Sequence, residues 1–140
     1  MNYYVNADEL TPFFYGGVDS ATFNLYLTDL GDLYNSFERD IEFVEVAGRD
    51  GDLLIDNKRK KSKEVTLTGF IDMEQNNVPM PTLAKTIEEW LQGEVKYKEL
   101  IVENKAYNAI CINQISIKEV MEQLGEIQIK FRIQPPKTKR

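Results

Sequence analysis

Residues 127–133 read Ile-Gln-Ile-Lys-Phe-Arg-Ile, and this strict alternation constrains the fold more than any other stretch. Ile127, Ile129, Phe131 and Ile133 fall on one side, and Gln128, Lys130, Arg132 and Gln134 on the other. Only an extended strand has a two-residue period, so the chain must contain a sheet with one dry and one wet face. Pro135-Pro136 stops the strand, because proline cannot donate to a ladder. A second strand of similar quality spans Glu64 to Ile71. Val65, Leu67 and Ile71 share one face there, and Thr66, Thr68 and Phe70 the other.

The remaining strands are shorter. Phe13-Phe14-Tyr15 runs into Gly16-Gly17, a turn signal, and Phe23-Asn24-Leu25-Tyr26-Leu27 follows as a further strand. Ile41 to Val46 carries Ile41 and Phe43 on one face and Val44 and Val46 on the other, which predicts two-sided burial or a bulge. Gly48-Arg49-Asp50-Gly51 is a tight-turn sequence, and Leu53-Leu54-Ile55 resumes a strand that Asp56-Asn57 is expected to end. The basic run Lys58-Arg59-Lys60-Lys61-Ser62-Lys63 then falls where a solvated hairpin tip is expected, before strand 64–71. The functional alternative is a patch that meets an acidic partner or phosphates. Leu100-Ile101-Val102 is a short strand, Ala106 to Ile117 a long one, and residues 118–125 a connection.

Pro81 to Gln92 is the one helix. Leu83, Ile87, Trp90 and Leu91 recur at helical spacing, Pro81 suits the first turn and Gly93 the end. Trp90 is expected to anchor this short helix to the core. Seven to nine strands, one helix and no alternating β-α units give a mainly β (α+β) protein, an antiparallel β-sandwich or split barrel.

Composition removes most chemistry. The 140 residues include no histidine, so no imidazole base or ligand exists. Cys111, the one cysteine, excludes an intrachain disulfide and a clustered thiolate zinc site, and reads as a small buried residue. A net charge of −6 argues against nucleic-acid binding through bulk charge. No run approaches the roughly 18 apolar residues of a membrane span, and Met1 to Glu9 lacks a signal-peptide pattern, so folding in a cytoplasm without membrane insertion is expected. Gly16-Gly17 lacks the lysine of a phosphate loop, and no serine forms a nucleophile elbow. Counted from Asp50 as a calcium loop, Leu54, Ile55 and Lys61 stand where a ligand, a glycine and a bidentate glutamate are needed. No cofactor, metal or catalytic residue is assigned, and the chain is read as a non-enzyme; a hydrolase built on two of its 23 acids is the remaining enzymatic alternative.

Several weaker motifs occur in a telling order. Phe14-Tyr15-Gly16-Gly17-Val18-Asp19-Ser20 precedes Phe23-Asn24-Leu25-Tyr26-Leu27; then come Glu45 to Asn57 with Val46-Ala47-Gly48-Arg49-Asp50-Gly51, and Val65-Thr66-Leu67-Thr68-Gly69-Phe70-Ile71. The Trp90-Leu91 helix and the closing Lys130-Phe131 to Pro135 strand complete the series. Over residues 13–136 this order resembles the N-terminal domain of the distal tail proteins of long-tailed, non-contractile phages. Residues 1–12 precede the first strand as an arm, and Lys137-Thr138-Lys139-Arg140 follows as a basic tail. Many members of that family continue into a carbohydrate-binding-like second domain where this chain ends, which leaves the ring-forming role as the expectation.

The resemblance implies a fold similar to tail-tube subunits, with one helix and a projecting β-hairpin. It implies a hexameric ring at the tail tip of a phage or prophage virion, assembled in the bacterial host cytoplasm. The partners it implies are other copies of the chain, the tail-tube protein, the tail-associated fibre or lysin protein, the tape measure, and DNA in transit. Arg49, Asp50, Lys58, Arg59, Lys60, Lys61, Lys130 and Arg132 are the candidate contacts between subunits or with partners. A tail-tube or tail-terminator subunit of the same fold is one alternative. Another is a β-sandwich sugar-binding module using Tyr3, Tyr4, Tyr34, Tyr97 and Tyr107.

Overall fold

The alternating strand becomes the centre of a sheet. In a computed structural model that describes residues 10–76, 78–121 and 123–136, it is the last and longest strand, β10 (Leu124–Gln134). The strands before it are β1 (Phe13–Tyr15), β2 (Val18–Asp19), β3 (Leu25–Asp29), β4 (Arg39–Glu45), β5 (Asp52–Lys60) and β6 (Lys63–Asp72). A helix, α1 (Met80–Gln92), then precedes β7 (Lys98–Val102), β8 (Lys105–Cys111) and β9 (Ile117–Met121). Eight strands form one sheet in the order β2-β1-β7-β8-β10-β6-β3, with β9 also on β10; β4 and β5 form a separate ribbon. All pairs are antiparallel, and the sheet curls into a half-barrel, the split-barrel form of the expected architecture.

β10 pairs with β6 along its length, from Leu124 opposite Asp72 to Ile133 opposite Lys63. Directly opposed residues share a face, so Ile127, Ile129, Phe131 and Ile133 join Val65, Leu67 and Ile71 in one buried layer. Helix α1 adds Leu83, Ile87 and Leu91 to the same buried cluster. Trp90 anchors it as expected. Its ring stacks on Phe13 at 5.5 Å and lies 5.0 Å from Phe23, and its Nε1 donates to the Tyr15 carbonyl at 2.9 Å. Tyr15 reaches across the core to donate from its hydroxyl to the Ala109 carbonyl. Buried Ser20 accepts from the Phe13 amide and donates to the Leu25 carbonyl, so its one polar group is satisfied.

Three expectations need correction. The strand expected over Ala106 to Ile117 is two strands: the chain leaves the sheet after Cys111 and returns at Ile117. The Asn113 side chain fills the gap, donating to the Gln128 carbonyl and accepting from the Lys130 amide as a backbone rung would. The segment expected as a connection, 118–125, holds most of β9 and the start of β10. Finally, Asp56-Asn57 does not end its strand: β5 runs to Lys60, so the basic run is the root of the ribbon and not a hairpin tip. Asp40 explains the extension, accepting from Asn57 at 3.0 Å and from Arg59 at 2.5 Å. Of the N-terminal arm, Thr11 pairs with Leu27 at the edge of the sheet; residues 1–9 and the basic tail 137–140 lie outside the described residues.

Candidate functional site

The ribbon β4–β5 is the feature the rest of the fold does not need. Its register places Phe43 opposite Leu54, Val44 opposite Leu53, and Glu42 opposite Ile55. Phe43 and Leu54 therefore point to one face, Val44 and Leu53 to the other. The alternation that buries β10 here sends apolar groups both ways, and none is buried, with Ile41 half-covered at the root. Phe43 is 66% exposed and Leu54 58%, while Val44, Val46, Leu53 and Ile55 are exposed as well. No residue of either strand belongs to the buried core, and β5 is exposed along its whole length. Segment 41–46 thus has the two-sided apolar pattern read from sequence, and a register shift between Arg39 and Ile41, but not burial within its own chain.

The tip is a tight turn as expected. Gly48 and Gly51 have φ of +79° and +84°, a region that favours glycine, and the Arg49 amide donates to the Val46 carbonyl. The root is clamped. The Lys61 amide donates to the Glu38 carbonyl, and the Asp40 carboxylate holds Arg59 and Asn57. Arg59, then Asn57, keeps the Asp40 carboxyl below its usual range. Next to the root, the Lys63 ammonium donates to the carbonyls of Asp32, Leu33 and Asn35 and sits over the Phe37 ring. Burial lowers its pKa. The loop that launches the arm is therefore tied to β6.

The candidate contact residues fall in three places. Arg49 and Asp50 are at the tip, and Lys58, Arg59, Lys60 and Lys61 at the root. Lys130 and Arg132 lie on the wet face of β10, both beside Glu64, at 3.5 and 3.8 Å. A groove of about 370 Å³ brings Arg132 together with Arg59, Lys60, Lys61, Asp40 and Ser62. Sequence reasoning missed the apolar arm residues, although 41–46 carried their signal. Of the tyrosines proposed for sugars, Tyr34 alone among the described residues is exposed, at 46%. It carries Lys105 over its ring, while Tyr97 and Tyr107 are half-buried; Tyr3 and Tyr4 lie outside the described residues. Cys111 is buried, and burial pushes its thiol pKa up. Among the described residues, no three His, Cys, Asp or Glu side chains group to hold a metal ion, and no helix is long and apolar enough to cross a membrane.

The curled antiparallel half-barrel, with its one helix and its separate two-stranded ribbon, can be set beside known folds. Among solved structures, the chain matches the Dit protein (gp 19.1) of phage SPP1 with a TM-score of 0.68, over 90% of this chain and 50% of that one. That protein is described as a hub of the adsorption apparatus in phages infecting Gram-positive bacteria. Identity is 11%, so the match speaks for the fold, and this chain spans half the other's length. Residues 9–134 match the family described as the phage tail protein N-terminal domain, and the chain belongs to that family. No curated protein sequence matches it. The protein is a structural component of a phage tail.

Proposed function

We propose that the protein is the distal tail hub of a phage or prophage with a long, non-contractile tail. Residues 13–136 are the ring-building unit, and six copies close into a ring at the tail tip. One side of the ring meets the tail-tube protein and the other the fibre or lysin protein. The lumen passes the tape measure and then DNA. The ring is assembled in the host cytoplasm, acts as a scaffold without catalysis, and enters no membrane.

The observation that carries this reading is the arm with two uncovered apolar faces. A closed ring needs each copy to offer two different surfaces, one to each neighbour. A ribbon that leaves its own body and is apolar on both sides meets that need, and an isolated two-stranded hairpin is marginal in water without such cover. A net charge of −6 suits a wall past which DNA must slide without adhering.

The test is native mass spectrometry of the purified chain over a concentration series, followed by electron microscopy. The expected result is a closed particle of six 16.2 kDa copies, about 97 kDa, with a central hole. Open-ended cylinders would point instead to a tube subunit, and a strict monomer at every concentration would overturn the proposal.

A further inference from the structure

The arm carries a like-charge pair at each end, and the two pairs are opposite in sign. Near the tip, Glu45 stands directly opposite Asp52; at the root, Arg39 stands directly opposite Lys60. All four are exposed, and among the described residues none has an ion-pair partner. Like charges directly opposed across two strands destabilise the ribbon that holds them. Neither pair is relieved within the chain. Arg59 is taken by Asp40, and Lys61 by Glu38. Around the basic pair, Arg39, Asp56, Lys58, Arg59 and Lys60 line a groove of about 170 Å³. The tip adds Asp50 to its two acids, with Arg49 as the lone nearby cation. The two charged rungs are six residues apart on β4, or about 20 Å along the strand, with the exposed apolar pairs between them.

From this we infer that the acidic tip of one copy docks on the basic root of the arm of the next copy, with the apolar faces between them covered in the same contact. The inference rests on the ring reading above and adds its polarity: every copy gives a tip to one neighbour and a root to the other. Each repulsive rung is then neutralised by its opposite in a second copy, which sets both direction and register.

Charge reversal tests it. One variant carries Glu45→Lys with Asp52→Lys, another Arg39→Glu with Lys60→Glu, and a third all four changes. Reversal keeps each rung like-charged, so the ribbon's internal repulsion is unchanged, and thermal unfolding of the body controls for folding. Light scattering over a concentration series should show each two-residue variant unassembled at concentrations about tenfold above those at which the native chain assembles. Mixing the two should restore particles of alternating, one-to-one composition with an even number of copies. The four-residue variant should assemble alone. Rising salt should weaken native assembly. If the native chain assembles and the reversed variants do so equally well, or the mixture fails to recover, the docking inference falls while the ring reading stands. A native chain that stays monomeric overturns both.

Discussion

The body and the arm are built from the same element and use it in opposite ways. In the body, β10 and β6 alternate, and their apolar residues meet in one layer from which Leu67, Ile129 and Phe131 have no exposure. In the arm, β4 and β5 pair antiparallel with one register shift near the root, yet Phe43 and Leu54 stand mostly in solvent. Covering a side chain of that size gains about 1.5–3 kcal/mol, so the arm leaves unrealised a stabilisation that the body has already gained. Apolar content says that a strand will be buried. It does not say in which molecule.

The sharpest contrast is in folding free energy. Replacing Phe131 with alanine should cost about 3–5 kcal/mol in urea unfolding, because it opens a cavity among Tyr15 and its neighbours that cannot collapse. Gly31→Ala should come next. Its φ is +54°, and an added Cβ would lie 2.5 Å from the Thr66 carbonyl oxygen, so a loss of about 1–3 kcal/mol is expected at the loop that leads to the arm.

Tyr15 gives a pH-dependent effect of similar or smaller size. Burial, then the proximity of Cys111, pushes its pKa up to about 12. In the unfolded chain it ionises near 10.0, so the unfolded state loses the proton first. Stability is therefore full below pH 10.0 and falls as pH rises through about 12, by about 2 kcal/mol. Tyr15→Phe should flatten that alkaline limb in a pH series of unfolding, while losing about 1 kcal/mol at neutral pH with the bond to Ala109.

The smallest effect on folding should come from the arm. Phe43→Ser with Leu54→Ser should shift unfolding of the body by about 0.5 kcal/mol or less, since neither side chain touches its core. The same variant should lose self-association. A large loss of body stability instead would erase the distinction between the two regions.

Much of the fold was legible in sequence because its signals are local. The alternation of 127–133 and 64–71, the spacing of Leu83, Ile87, Trp90 and Leu91, and the glycines of the 48–51 turn each mark an element without reference to the rest of the chain. What escaped depends on distant partners. The break after Cys111 is possible because Asn113 bonds to Gln128 and Lys130 in another strand. The basic run sits at a root rather than a tip because Asp40, 17 and 19 positions away, holds Asn57 and Arg59. The apolar arm was visible as a pattern, but a two-faced strand reads the same whether its cover comes from its own chain or from a neighbour. The charged candidates, chosen by type, split between tip, root and β10, and pairing at Glu64 and Asp40 leaves only some of them free to act.

Hydrogen exchange of the native chain at low and high concentration tests the account most directly, because it reads the two regions in one sample. Amides of β6 and β10 should be protected at both concentrations. Amides at 41–46 and 52–57 should exchange quickly in dilute solution and become protected as the particles form. An arm that exchanges as fast at high concentration as at low, or one already protected in the isolated chain, would contradict the claim that other copies of the protein cover it.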